Sequence, residues 1–160
     1  MARKDLNKAK SNVYPKILEY HNEYGINVGR IVRRIIKYAP PYCLTDLKEI
    51  KIMDKDPNDM GFSSYNKQER KIELYIEDII GWQPSFLRKS YLFPYFTISV
   101  ALGHEIDHHV NREHSGAHKE KSAESNALKY VYPSFGVFKP FVKLFSLLLR
   151  IKRHGIRGRC

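Results

Sequence analysis

Two histidines four residues apart, with a glutamate beside the first, carry the clearest chemistry in this chain. Residues 104–108 read His104-Glu105-Ile106-Asp107-His108, the HExxH pattern. On an α-helix, positions i and i+4 lie one turn apart on one face, so both imidazoles can reach a single ion. Zinc accepts neutral imidazole nitrogen, prefers tetrahedral coordination, and in catalytic sites keeps one position for water. Glu105 sits where its carboxylate can take a proton from that water. The pattern predicts a Zn²⁺ centre held by His104 and His108, with Glu105 as general base toward its bound water. An apolar helical run through Ile98, Val100, Ala101 and Leu102 leads directly into the motif.

Two histidines and a water leave one ligand to find. His114 is one candidate. Residues 104–114 read HEIDHHVNREH, which resembles the metzincin pattern HExxHxxGxxH with Asn111 at the glycine position, and asparagine tolerates a left-handed turn. Metzincins also need a methionine after the motif, whereas Met1, Met53 and Met60 all precede it. The other candidate lies further on. Residues 120–133, EKSAESNALKYVYP, resemble the ExxA(N/D)xxA segment, closed by a proline, that follows HExxH in ImmA/IrrE-type and other minimal gluzincin metallopeptidases. Glu120, Ala123, Ala127 and Pro133 match, and Glu124 stands where Asn or Asp is usual. The resemblance implies a zinc-dependent peptidase acting on a peptide or protein substrate, with Glu120 as third ligand. Glu124 would then hold a ligand histidine, or exchange roles with Glu120. Ala123 and Ala127 are small enough to let their helix approach the HExxH helix closely, the hairpin turning near 113–116 with Ser115 as N-cap.

The likeness covers about residues 45–133. Ile72-Glu-Leu-Tyr75 matches the family's aliphatic strand, and Met60-Gly-Phe-Ser-Ser-Tyr65 resembles the strand before it. This implies a small sheet above the active-site helix, whose edge strand pairs with an extended substrate backbone, a part assigned to residues 70–76. His109, His114, His118, Tyr130 and Tyr132 crowd the motif, and any one of them could steady an oxyanion. Each also reads as an ordinary structural residue. Asp107 reads as a capping or solvated residue, and Trp82 and Phe86 as core or cleft walls.

The elements that must position these groups are legible in outline. Residues 11–37 carry Val13, Ile17, Leu18, Ile31, Val32, Ile35 and Ile36 at helical spacing, interrupted at Gly25 and Gly29, and predict two helices ending before Pro40. Three strands are expected at 50–53, 61–65 and 71–76, the last with Ile72, Leu74 and Ile76 on one face. Helices are expected at about 94–110, 115–132 and 137–152. The order of helices, small sheet and helices predicts an α+β class with a three-stranded sheet, and the resemblance implies that it is a small zincin-like domain.

Composition bounds the rest. A chain of 160 residues and 18.8 kDa suits one domain, read as N-terminal helices (1–40), a catalytic core (45–133) and a basic amphipathic tail (134–160). Hydrophobic residues make up 42% and charged residues 28%, which excludes disordered and collagen-like classes. The apolar windows 91–102 and 135–151 are broken by Pro94, Lys139, Pro140 and Lys143, so no span of about 20 apolar residues exists. The first residues lack a signal peptide's apolar stretch, which points to the cytoplasm. Cys43 and Cys160 form no disulfide framework, although a thiolate at Cys160 could occupy the open zinc position. Net charge is +11, and its distribution is uneven. Residues 1–37 hold nine Lys/Arg against three acids, and residues 139–160 hold seven against none. Basic ends of this kind can bind nucleic acid or an anionic membrane surface, so a non-enzymatic zinc-binding module is the alternative to a peptidase. They also serve as solvated faces, and the apolar stripe at 138–149 can equally close the core.

Overall fold

A strand lies at Lys16–Glu19, where a helix is expected. In the structure, a computed structural model, residues 14–20, 24–57, 61–81, 83, 85–112, 117–140 and 142 are described, with side chains for all of these except 117–119. The described elements are, in order, β1 (Lys16–Glu19), α1 (Val28–Tyr38), a 3₁₀ turn (Pro41–Leu44), β2 (Glu49–Met53), β3 (Ser63–Asn66) and β4 (Lys71–Tyr75). Among the described residues only helices follow: α2 (Ile76–Ile80), α3 (Ser85–Arg88), α4 (Leu92–Val110), α5 (Ala117–Val131) and a 3₁₀ segment (Tyr132–Phe138). The class is α+β, and the sheet has four strands rather than three, in the order β1-β2-β4-β3. β1 and β4 run parallel to β2, and β3 runs antiparallel to β4.

The correction at β1 has a physical reason. Ile17 and Leu18 are adjacent apolar residues, which suit a strand as well as a helix, and β2 offers a parallel edge to pair with. Ile17 falls in register with Ile50, Lys16 N–H donates to Lys48 O at 2.9 Å, and Tyr20 N–H donates to Ile52 O at 2.9 Å. The strand's last residue then starts the next element. Glu19 accepts the Gly29 amide at 2.9 Å while Asn27 Oδ1 accepts the Arg30 amide at 2.8 Å, so the first turn of α1 is capped twice, with a carboxylate at its positive end. A Cβ at position 29 would overlap the Glu19 carboxylate, and glycine leaves that space.

Period-two alternation and helical stripes meet in one core. Ile50 and Ile52 of β2 and Ile72 and Leu74 of β4 are fully buried. They pack in one cluster with Ile31 and Ile35 of α1 and Ile98, Leu102 and Ile106 of α4. Each such side chain contributes about 1.5–3 kcal/mol by leaving water. The other side of β4 is polar, with the Lys71 ammonium 3.0 Å from the Glu73 carboxylate. α4 is buried around most of its circumference, from Tyr95 to His109, so it is the central element. α5 lies against it so tightly that a Cβ on Gly103 would collide with the Ala127 main-chain carbonyl, and Ala123 and Ala127 are both buried. Among the described residues no helix is long and apolar enough to cross a membrane. Most of the helix expected at 137–152 lies outside the described residues. Of its stripe, Val142 is buried and Phe138 is exposed.

Candidate metal centre

The helical spacing of the histidines produces the convergence that it predicts. His104 Nε2 and His108 Nε2 stand 3.0 Å apart, with ring planes inclined at 83°. Glu120, in the first turn of α5, places Oε2 3.5 Å from His104 Nε2 and Oε1 3.3 Å from His108 Nε2. A four-coordinate ion with bonds of about 2.0–2.1 Å separates neighbouring donors by about 3.3 Å, so the three side chains already have suitable spacing. They lie close enough together to bind a metal ion. The close packing at Gly103 and Ala127 is what brings α5 near enough to supply the carboxylate.

Glu105 faces the same space. It is only 4% exposed, and the Ser63 hydroxyl donates to its Oε1 at 2.7 Å. Residues 63–65 of β3, with His104, Glu105, His108 and Glu120, line a cleft of about 280 Å³. Among the described residues, the free strand edge beside this cleft belongs to β3. The expected edge, residues 70–76, lies inside the sheet as β4, because residues 63–66 return antiparallel onto it and β2 covers its other side.

The neighbours of the motif turn away from the cleft. His109 Nε2–H donates to the Thr45 carbonyl at 2.8 Å, which leaves Nδ1 to accept from the Tyr65 hydroxyl at 2.9 Å. Burial lowers its pKa and favours the neutral ring that this pairing requires. Asp107 is fully buried rather than solvated, because α5 covers its face of the helix. It accepts from Ser122 Oγ at 3.2 Å and from Tyr130 Oη at 3.0 Å. Burial and the Asp107 carboxylate push the Tyr130 phenol well above its usual range, so this hydroxyl is committed as a donor. Tyr132 packs its ring under the Lys139 ammonium. Glu124 is exposed and is not one of the three converging groups. Phe86 is exposed rather than core. His114, Trp82, Cys160 and the side chain of His118 lie outside the described residues. Cys43 is buried, its thiol pushed up to about 11 by that burial and donating to Pro40 O.

Comparisons with protein-family models, with characterised proteins and with solved structures find no match. What the site can do therefore rests on its own geometry. Ser63, Ser64 and Tyr65 are cleft residues that sequence reading did not single out, and of these Ser63 and Tyr65 meet the helix through their side chains. The available signal was their alternation on a strand against the i, i+4 pair Glu105 and His109 on a helix, two spacings that match only once strand and helix are stacked.

Proposed function

We propose that the protein is a zinc-dependent metallopeptidase of the gluzincin type. The observation that carries this reading is the convergence of His104, His108 and Glu120 at tetrahedral spacing beside a buried Glu105. Two imidazoles and one carboxylate form the donor set of catalytic rather than structural zinc, which leaves a position for water. When bound, the ion supplies Lewis acidity that makes water a better nucleophile at neutral pH and polarises the scissile carbonyl. Glu105 takes the proton from the attacking water on its carboxylate and passes it to the leaving amine. A purely structural site has no use for that glutamate, which favours the enzyme over the binding module.

The substrate in this reading is an extended peptide. Tyr75 N–H donates to Phe62 O at 3.0 Å, so by antiparallel alternation Ser64 and Asn66 direct their main-chain groups toward β4. Ser63 and Tyr65 then direct theirs to the open edge, where an extended chain can add as a further strand. Replacement of Glu105 by Gln tests the reading. The variant should bind zinc as the wild type does, measured by elemental analysis, while cleavage of a quenched fluorogenic peptide library falls at least about a hundredfold. Undiminished cleavage by Glu105→Gln would contradict it.

A further inference from the structure

We propose that Ser63 is a positioning residue for the general base, a role that rests on the peptidase reading above. Its hydroxyl donates to Glu105 Oε1 at 2.7 Å, a short contact of the charge-assisted kind, at a carboxylate that is only 4% exposed. Fixing one carboxylate oxygen fixes the plane of the group, and with it the direction in which the second oxygen can meet a proton. A base attached to a helix by a flexible side chain gains most from such orientation, because proton transfer demands close heavy-atom approach.

The strand that carries Ser63 is itself pinned. Two residues on, the Tyr65 hydroxyl donates to His109 Nδ1 at 2.9 Å, and the same imidazole donates to Thr45 O at 2.8 Å. Residues i and i+2 of a strand are about 6.7 Å apart, and residues i and i+4 of a helix rise about 6 Å. Ser63 and Tyr65 therefore meet Glu105 and His109 in step, and two contacts fix the register of β3 along α4. A slip by one residue would turn Ser64 toward the helix. Ser64 instead lies against the Tyr75 hydroxyl at 3.3 Å, on the opposite face of the strand. The same strand offers the open edge beside the cleft, so a peptide adding to the Ser63 main chain steadies the hydroxyl that orients the base.

The experiment compares Ser63→Ala and Ser63→Thr with the wild type on the quenched peptide that the wild type cleaves fastest from a library. Ser63→Ala should lower kcat about tenfold with KM and zinc content little changed, because the main-chain edge and the donor set are intact. Ser63→Thr, which restores a hydroxyl, should recover most of the rate. In crystals, the Glu105 carboxylate should lose its single orientation in Ser63→Ala and keep it in Ser63→Thr. An active wild type matched by Ser63→Ala, or a threonine variant as slow as the alanine one, overturns the inference alone. A wild type that cleaves no library peptide overturns the peptidase reading on which it rests.

Discussion

Glu105 and Asp107 are two carboxylates two residues apart on the same helix, and their surroundings give them opposite uses. Glu105 faces the cleft and meets a hydroxyl from the sheet. Asp107 points into α5, where Ser122 and Tyr130 both donate to it. Removing Asp107 leaves two hydroxyls without their acceptor next to a fully buried position. Asp107→Ala should therefore destabilise the fold by about 2–3 kcal/mol, read from the urea midpoint. Glu105→Gln keeps an oxygen for Ser63 and should change stability by less than about 1 kcal/mol. Similar losses in the two variants would contradict this division of roles. The two converging histidines were legible in the sequence because helical spacing alone brings them together. The burial of Asp107 was not, since residues 104–108 carry no sign of which face the next helix covers.

Between elements, the decisive contact is the one at Gly103. A methyl group there meets main-chain atoms of Ala127, which cannot turn aside as the end of a flexible side chain can. In an isolated helix Gly→Ala stabilises by about 1 kcal/mol. Here the overlap should outweigh that gain, so Gly103→Ala lowers the melting temperature by about 5 °C. It should also weaken zinc binding, measured by competition with a chelator, because the displaced α5 carries Glu120. A higher melting temperature would show that the helices are not held at this distance. The two long helices could be read from apolar periodicity and from Pro133, and the close pair from Ala123 and Ala127. β1 could not, because Ile17 and Leu18 fit either structure until β2 offers its edge. Nor could the free edge, since strand order is set by which strands find partners and not by the pattern within any one of them.

Across the whole molecule, one hydrophobic cluster unites the sheet, α1, α4 and the end of α5, with the candidate site where α4 and α5 cross beside β3. Several phenols are sealed into this body. Burial holds the pKa values of Tyr75, Tyr95 and Tyr130 above the ordinary value of 10.0. A phenol whose folded pKa is raised contributes stability that is complete below its unfolded pKa and lost as pH rises through the folded one. The ion-paired Lys71 is shifted upward too and acts in the same direction. The buried Cys43 thiol, raised to about 11, begins the loss at lower pH than the phenols. The urea midpoint should therefore hold steady from pH 7 to 8 and fall progressively above about pH 9. A midpoint unchanged into strong alkali would mean that these hydroxyls ionise freely in the fold. The charge-rich ends, residues 1–13 and 143–160, lie outside the described residues.

Crystals of zinc-loaded protein, measured with X-rays on either side of the zinc absorption edge, test the central claim most directly. The account predicts one anomalous peak about 2.0–2.2 Å from His104 Nε2, His108 Nε2 and a carboxylate oxygen of Glu120. A peak that excludes either histidine, or one completed by Glu124 or His114 in place of Glu120, would contradict it.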